Sequence, residues 1–399
     1  MRILRIAAIL AVAMLACPSA EARTYRVLYA FKGGADGEQP NGGLARDASG
    51  NLYGATWFGG GSANCSSGCG TVFKLDRSGH ETVLHAFKGD DGAMPNPVLL
   101  DGDGNIYGTA MLGGDRACTA GPCGIAYRLA PDGTFTLLHM FEGGTDGTYP
   151  QSRLVRDAAG TLYGTTLAGG AGGGCANQNP SGCGTVFAIA AAGTETVLHA
   201  FAGPDGANPS AGLLRARSGA LYGTTTQGGA HNSGTVFKLA VDGSETVLHH
   251  FTGRAPDNGY PYADLIADGA GNLYGTTEFH PSGANIFGTV FKISRKGGAM
   301  TELFSFDLED GGYPEAGLVR DPDGNLYGTT LSGGGCPANE CGTVFKLNPN
   351  NTETVLHGFQ EKADGQAPRS LLVRDRFGNL YGTALGGRHN AGVVFEVTP

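Results

Sequence analysis

Positive charge is scarce in this sequence. Lys and Arg number 27 against 36 Asp and Glu, a formal net charge of −9 over 399 residues. Without a basic footprint there is no grip on phosphate backbones, so no nucleic-acid partner is expected. Long apolar runs are also missing. None reaches the roughly 20 residues that a helix needs to cross a bilayer, so no transmembrane segment is expected. Beyond the first residues no stretch keeps a 3.6-residue apolar period, which argues against amphipathic helices. The 70 glycines follow no triplet repeat, which excludes collagen, and 41% hydrophobic content excludes disorder. There is no G-x-S-x-G elbow in a strand-to-helix setting and no phosphate-binding loop with its lysine. Nothing points to a cofactor.

What is present begins with a leader pattern. Arg2 and Arg5 precede an apolar run from Ile6 to Ala16, and Ala20-Glu21-Ala22 offers a small-x-small cleavage site before Arg23. The expected domains are therefore a signal peptide over residues 1–22 and a mature domain over 23–399. The mature protein is expected to be secreted or periplasmic. Cys17 opens a second route, a lipid-anchored N-terminus.

Cleavage would remove Cys17 and leave eight of the nine cysteines. They form four close pairs: Cys65 with Cys69, Cys118 with Cys123, Cys175 with Cys183, and Cys336 with Cys341. An even count in an exported chain reads as disulfides, each adding roughly 2 kcal/mol in the loop-entropy picture. Zinc would require pairs from different loops to meet.

The strongest signal is a repeat. Leu-Tyr-Gly, or Ile-Tyr-Gly, recurs seven times, at Tyr53, Tyr107, Tyr163, Tyr222, Tyr274, Tyr327 and Tyr381, with spacings of 54, 56, 59, 52, 53 and 54 residues. Each unit holds four short runs rich in Val, Leu, Phe, Tyr and Thr, separated by Gly, Asp and Asn turns, which are strand signals. Four strands in about 54 residues is the size of a propeller blade. The expected fold is all-β: a seven-bladed β-propeller with four antiparallel strands per blade. Thr24 to Phe31 matches a fourth strand and Gly392 to Val397 a third, so the N-terminal strand should complete the last blade and close the ring. One closed ring is expected to be a monomer.

The run Asp-x-x-Gly-Asn-Leu-Tyr, at Asp47 to Tyr53, Asp321 to Tyr327 and Asp375 to Tyr381, resembles the core of NHL-type propellers. The longer pattern is GNLYGTT, a Gly-Gly loop, GTVFKL and then ETVLHAF. It resembles the GloVer tandem repeat of secreted bacterial proteins, over Thr24 to Pro399. The resemblance implies an exported repeat protein and brings no catalytic residues with it.

The strand phase puts the long loops after each second strand on the same face as the links between blades. Every link carries an Asp and a Pro, from Asp36 and Pro40 to Asp364 and Pro368. Those aspartates read as turn residues, with calcium at some blades as the alternative. A histidine of the fourth strand recurs at His85, His139, His199, His249 and His357, and is read as a hydrogen-bonded structural residue. Tyr29 and Ser305 are expected to fill that position in the other two copies.

Residues that break the repeat are the candidates for a site. His231, His280 and His389 stand in the loops that lack a cysteine pair, and three imidazoles suit a transition metal or acid–base work. Their plainer reading is solvated loop histidines, and no metal is assigned. Trp57, Tyr149, Tyr260, Tyr262 and Tyr313 cluster on the long-loop face, where rings suit stacking on sugars or anchoring a protein. The expected function is a non-catalytic, secreted propeller that binds a glycan or a protein partner through this face. The alternative is a carbohydrate-active enzyme, a polysaccharide lyase or glycoside hydrolase, working at the channel mouth through groups such as His231, His280, His389, Glu278 or Arg388.

Overall fold

A computed structural model describes residues 23–114, 123–170, 173–175, 182–255, 257–278, 287–336, 341–360 and 363–399. Residues 1–22, and with them Cys17, lie outside the described residues, as do Cys118 and His280. Seven antiparallel sheets follow one another around a ring. In the first blade the strands run outward as Ala45–Arg46, Leu52–Phe58, Thr71–Leu75 and Glu81–Ala86, with Glu38–Pro40 extending the innermost edge. Two-residue first strands and tight turns keep the inner edge of each sheet narrow, and a narrow twisted sheet is the wedge that a ring requires.

The ring closes as the repeat phase requires. The N-terminal strand Thr24–Ala30 lies antiparallel to Val393–Thr398, pairing Thr24 with Thr398 and Ala30 with Val393. That makes it the outermost strand of the seventh blade. The glycine that opens each third strand packs under the link proline of the next blade. A Cβ on Gly70 would lie 2.6 Å from Pro95 Cδ, and one on Gly392 would lie 2.1 Å from Pro40 Cδ. The seam between the last blade and the first thus repeats the contact made at the other boundaries.

The residue before each link proline is the strained one. Gln39, Met94, Tyr149, Asn208, Tyr260, Tyr313 and Ala367 all have φ between 46° and 57°. Left-handed backbone costs a non-glycine residue of order 1 kcal/mol, and it persists only where the surroundings hold it. Here a backbone bond to the preceding blade does so. The Met94, Asn208 and Ala367 N–H groups donate to the carbonyls of Cys69, Cys183 and Cys341. Cys69, Cys183 and Cys341 thus sit where one blade is tied to the next.

Cys65–Cys69, Cys175–Cys183 and Cys336–Cys341 are disulfides, and Cys123 is disulfide-bonded as well. Among the described residues no helix is long and apolar enough to cross a membrane.

Side-chain roles within a blade follow from strand parity. The third-strand aromatic, Phe73 in the first blade, is fully buried over the glycine of Leu-Tyr-Gly, where a Cβ on Gly54 would come within 2.6 Å of its ring. The Tyr53 hydroxyl donates to Asp47 Oδ2 at 3.1 Å, and the same bond recurs at Tyr107, Tyr163, Tyr274, Tyr327 and Tyr381. The fourth-strand histidines donate to the link aspartates, as His85 Nε2 does to Asp91 at 3.0 Å. In the first strand of the chain Tyr29 takes the histidine position and donates to Asp36 at 2.5 Å. In the fifth blade, however, the position belongs to Phe304 and not to Ser305. Phe304 pairs with Val290 as His85 pairs with Val72. Leu303-Phe304-Ser305-Phe306 is apolar on both parities, so the sequence does not show which residue faces which way.

The second blade substitutes tyrosine for the third-strand phenylalanine. Tyr127 is fully buried and its hydroxyl has no hydrogen-bond partner among the described residues. A buried unpaired hydroxyl costs about 1–3 kcal/mol. Tyr127→Phe should therefore raise stability by about 1 kcal/mol, read as a higher urea midpoint at unchanged slope. A drop of that size would show that the hydroxyl has a partner, such as a buried water.

Candidate functional site

Of the seven residues that follow the link prolines, all but Asn96, which is buried and donates to Thr109 Oγ1 and the Pro150 carbonyl, line the channel mouth on the long-loop face. In blade order the seven are Asn41, Asn96, Gln151, Ser210, Tyr262, Glu315 and Arg369. The scaffold repeats, yet no two neighbours after the first pair share a side chain. A cavity of about 150 Å³ is lined by Asn41, Gln151, Ser210, Tyr262, Glu315 and Arg369, with Arg153 and Asp264 among its other lining residues. The equivalent residues at the ends of the second strands are Trp57, Met111, Leu167, Thr226, Glu278, Leu331 and Leu385. Six of those seven carry no charge, so the carboxylate of Glu278 stands alone among them.

Three blades build the chemically distinct sector: Tyr262 and Glu278 come from the fifth, Glu315 from the sixth and Arg369 from the seventh. Tyr262 is 41% exposed. Arg369 Nε lies 3.5 Å from Glu315 Oε2. Burial pushes the Glu278 carboxyl up to about 7, helped by the negative charge of Glu315 and opposed by Arg369. Burial also raises Glu315, again against Arg369. The Tyr262 hydroxyl is raised by burial and by both glutamates. Deeper in, Asp264 Oδ1 accepts the Gly212 N–H at 2.5 Å, and Arg153 Nε is buried without a partner among the described residues. This sector can donate from guanidinium and phenol, accept at carboxylates, and hold a proton on one glutamate near neutral pH.

The expected aromatics divide. Trp57 lines a smaller pocket with Gln39, Asn41, Ala367, Arg369 and Leu385, beside the main cavity. Tyr149, Tyr260 and Tyr313 are half-buried, and the Tyr313 ring meets Phe287 at 5.7 Å. Tyr262 is the one that opens into the channel. His231 and His389 are exposed loop residues, and Arg388 is exposed beside His389. His231 lies near His250, whose imidazole is held below its usual range by burial and by the neighbouring histidines. Neither His231 nor His389 joins a group of three metal-ligating side chains among the described residues.

Glu315 and Arg369 escaped the sequence reading, although a signal existed. They occupy the one link position whose residue changes at almost every copy while the proline before it never does.

The sequence matches the Gloeobacter/Verrucomicrobia repeat over residues 18–176 and 173–395. The chain belongs to that repeat family. A search of curated proteins finds no match. Among solved structures, this repeat protein is similar to the extracellular domain of the putative one-component system BT4673 from B. thetaiotaomicron. The two share 9% identity, with 93% of this chain and 39% of that one covered and a TM-score of 0.54. It is also similar to the gluconolactonase XC5397 from Xanthomonas campestris, at 14% identity with 94% and 89% covered and a TM-score of 0.47. A luciferin-regenerating enzyme aligns at 14% identity, 94% and 95% coverage and a TM-score of 0.46. At such identities a likeness speaks to fold alone.

Proposed function

We propose that this chain is an exported, non-catalytic β-propeller that binds a glycan at the channel mouth of its long-loop face. The observation that carries this is the break in sevenfold equivalence there: Tyr262, Glu278, Glu315 and Arg369 come together on one side of the mouth. An exposed phenol ring suits stacking on a pyranose, while carboxylates and a guanidinium suit its hydroxyls. Export rests on disulfides within the long loops, which persist in oxidising compartments, together with a leader over residues 1–22.

A glycan-array screen followed by calorimetry tests this. Tyr262→Ala and Arg369→Ala should each weaken binding of an array-selected glycan at least about tenfold, or about 1.4 kcal/mol. Val241→Ala should not, since Val241 is 76% exposed in a hairpin turn of the opposite face. Equal affinity in all three variants would remove the reading.

One observation favours a second reading, cleavage of the bound sugar chain. Glu278 and Glu315 are two neighbouring carboxyls with unequal surroundings, the arrangement that separates an acid from a base. Release of reducing ends that is abolished by Glu278→Gln would move the assignment to a glycoside hydrolase. Unsaturated ends would indicate a lyase.

A further inference from the structure

The outer rim of the propeller repeats a three-residue arrangement at each boundary between blades. It comprises a side chain late in the fourth strand of one blade, the aspartate of the link that follows, and a residue at the start of the next blade's fourth strand. At two consecutive boundaries these are His, Asp and Glu. His139, Asp146 and Glu195 form one set, and His199, Asp205 and Glu245 the other. Within each set the three ligand atoms lie within 4.8 Å of one another. His139 Nε2 is 3.1 Å from Asp146 Oδ1, and His199 Nε2 is 2.9 Å from Asp205 Oδ2.

The glutamates of both sets are left incomplete. Oε1 of Glu195 and Oε1 of Glu245 are buried with no hydrogen-bond partner among the described residues, as are Oε1 of Glu81 and Oε1 of Glu353 at two boundaries that lack the histidine. An acceptor kept from water without a donor is expensive. Of these four, only Glu195 and Glu245 belong to a group that also offers an imidazole nitrogen and a second carboxylate. One nitrogen and two anionic oxygens form a donor set for a borderline divalent ion, whereas calcium takes oxygen ligands in larger number.

We propose that the second–third and third–fourth blade boundaries are two equivalent binding sites for a divalent transition cation such as Zn²⁺, held by His139, Asp146 and Glu195 and by His199, Asp205 and Glu245. The cation takes Nε2 of the imidazole, in its Nδ1–H tautomer, in place of the hydrogen bond to aspartate. It takes one oxygen from each carboxylate, and water fills the fourth position. Because the ligands come from two blades, the ion pins one wedge to the next, and its binding free energy adds to the stability of the ring.

The other five boundaries are natural controls. Each lacks one member of the set, replaced by Tyr29, Phe135, Met300, Phe304 or Tyr25. Two of these close the gap with a ring: His85 stacks on Phe135 at 4.4 Å and His357 on Tyr25 at 3.7 Å.

Zn²⁺ is titrated into the full chain after dialysis against chelator, with stoichiometry read by calorimetry and by metal analysis. The unaltered protein is expected to bind two equivalents, Glu195→Gln or Glu245→Gln one, and the double variant none. Phe304→His completes the set with Asp310 and Glu353 and is expected to raise the count to three. This gain-of-site variant keeps the test decisive should a glutamine variant fail to fold. No binding by the unaltered chain, two equivalents retained by the double variant, or an unchanged count in Phe304→His would each overturn the proposal.

Discussion

Phe31→Ala should destabilise the protein by about 3–5 kcal/mol, as much as Phe201→Ala in the middle of the chain. Phe31 is fully buried, in a cluster with Leu44, Leu52, Phe73, Leu75, Ala391 and Val394. Its ring meets Phe73 edge-on at 5.1 Å, as Phe201 meets Phe237 at 5.1 Å. The first strand therefore does more than cover an edge. It hydrogen-bonds to the seventh blade through Thr24–Ala30 and plugs its last aromatic into the first blade. A linear repeat array loses only a nearest-neighbour term when an end is weakened, and the remainder survives. A closed ring has no end, so the loss at Phe31 should be felt across the whole unfolding transition. Urea unfolding of both variants, followed by far-UV signal and by Trp57 fluorescence, measures this. If Phe31→Ala costs under about 1 kcal/mol while Phe201→Ala costs its full amount, the N-terminal strand is dispensable and the seam is not a blade boundary like the others.

The same seam shows why the fold was legible. Blade number, strand order and closure all follow from where Tyr53 and its six counterparts fall and from the complementary partial units at the two ends. Period and parity are local properties that a sequence displays. The disulfides were legible for a similar reason, since Cys65 and Cys69, and Cys336 and Cys341, share one loop each. The channel mouth was legible only in part. Tyr262 stood out as an aromatic, but Glu315 and Arg369 become a pair only when neighbouring blades are wrapped around an axis. Glu195 and Glu245 open ordinary-looking strands. That they face a histidine from the previous blade is a property of packing between wedges, about which a strand pattern is silent. Phe304 was obscured by a strand apolar on both faces.

Stability should be highest near pH 5 and should fall steadily as pH rises to 8. The five carboxyls lifted furthest set the slope. Burial lifts Glu353 to about 8, with the charges of Asp310 and Asp307 adding and Arg23 opposing. Burial and Asp36 lift Glu81 to about 7, against Lys32. Burial likewise lifts Glu278 to about 7, and Asp310 and Glu245 each to about 6. Asp310 is the link aspartate whose histidine position is filled by Phe304, so it faces Glu353 with no imidazole between them. Each of these groups binds its proton more tightly folded than unfolded. The stability they contribute is complete below the unfolded values near 4 and is lost as pH rises through the folded ones. Their sum, discounted for solvent screening at half-buried sites, is on the order of 3 kcal/mol. Two other sets act in the opposite direction. Burial holds the His357 and His250 imidazoles low, so charging them removes stability as pH falls below about 6.5. The turn aspartates are held below the usual range because bonds from asparagine side chains, backbone and tyrosine outweigh their burial, with Asp268 at about 2. Their contribution is present above about 4 and fades as pH falls toward 2. The maximum therefore lies between the aspartate limb and the glutamate limb. Urea midpoints from pH 3 to 9 should trace it, and Glu353→Gln should flatten the descent above pH 5. A curve rising from pH 5 to 8, or one that Glu353→Gln leaves unchanged, would mean that these carboxyls are ionised in the folded ring and reach water or a cation.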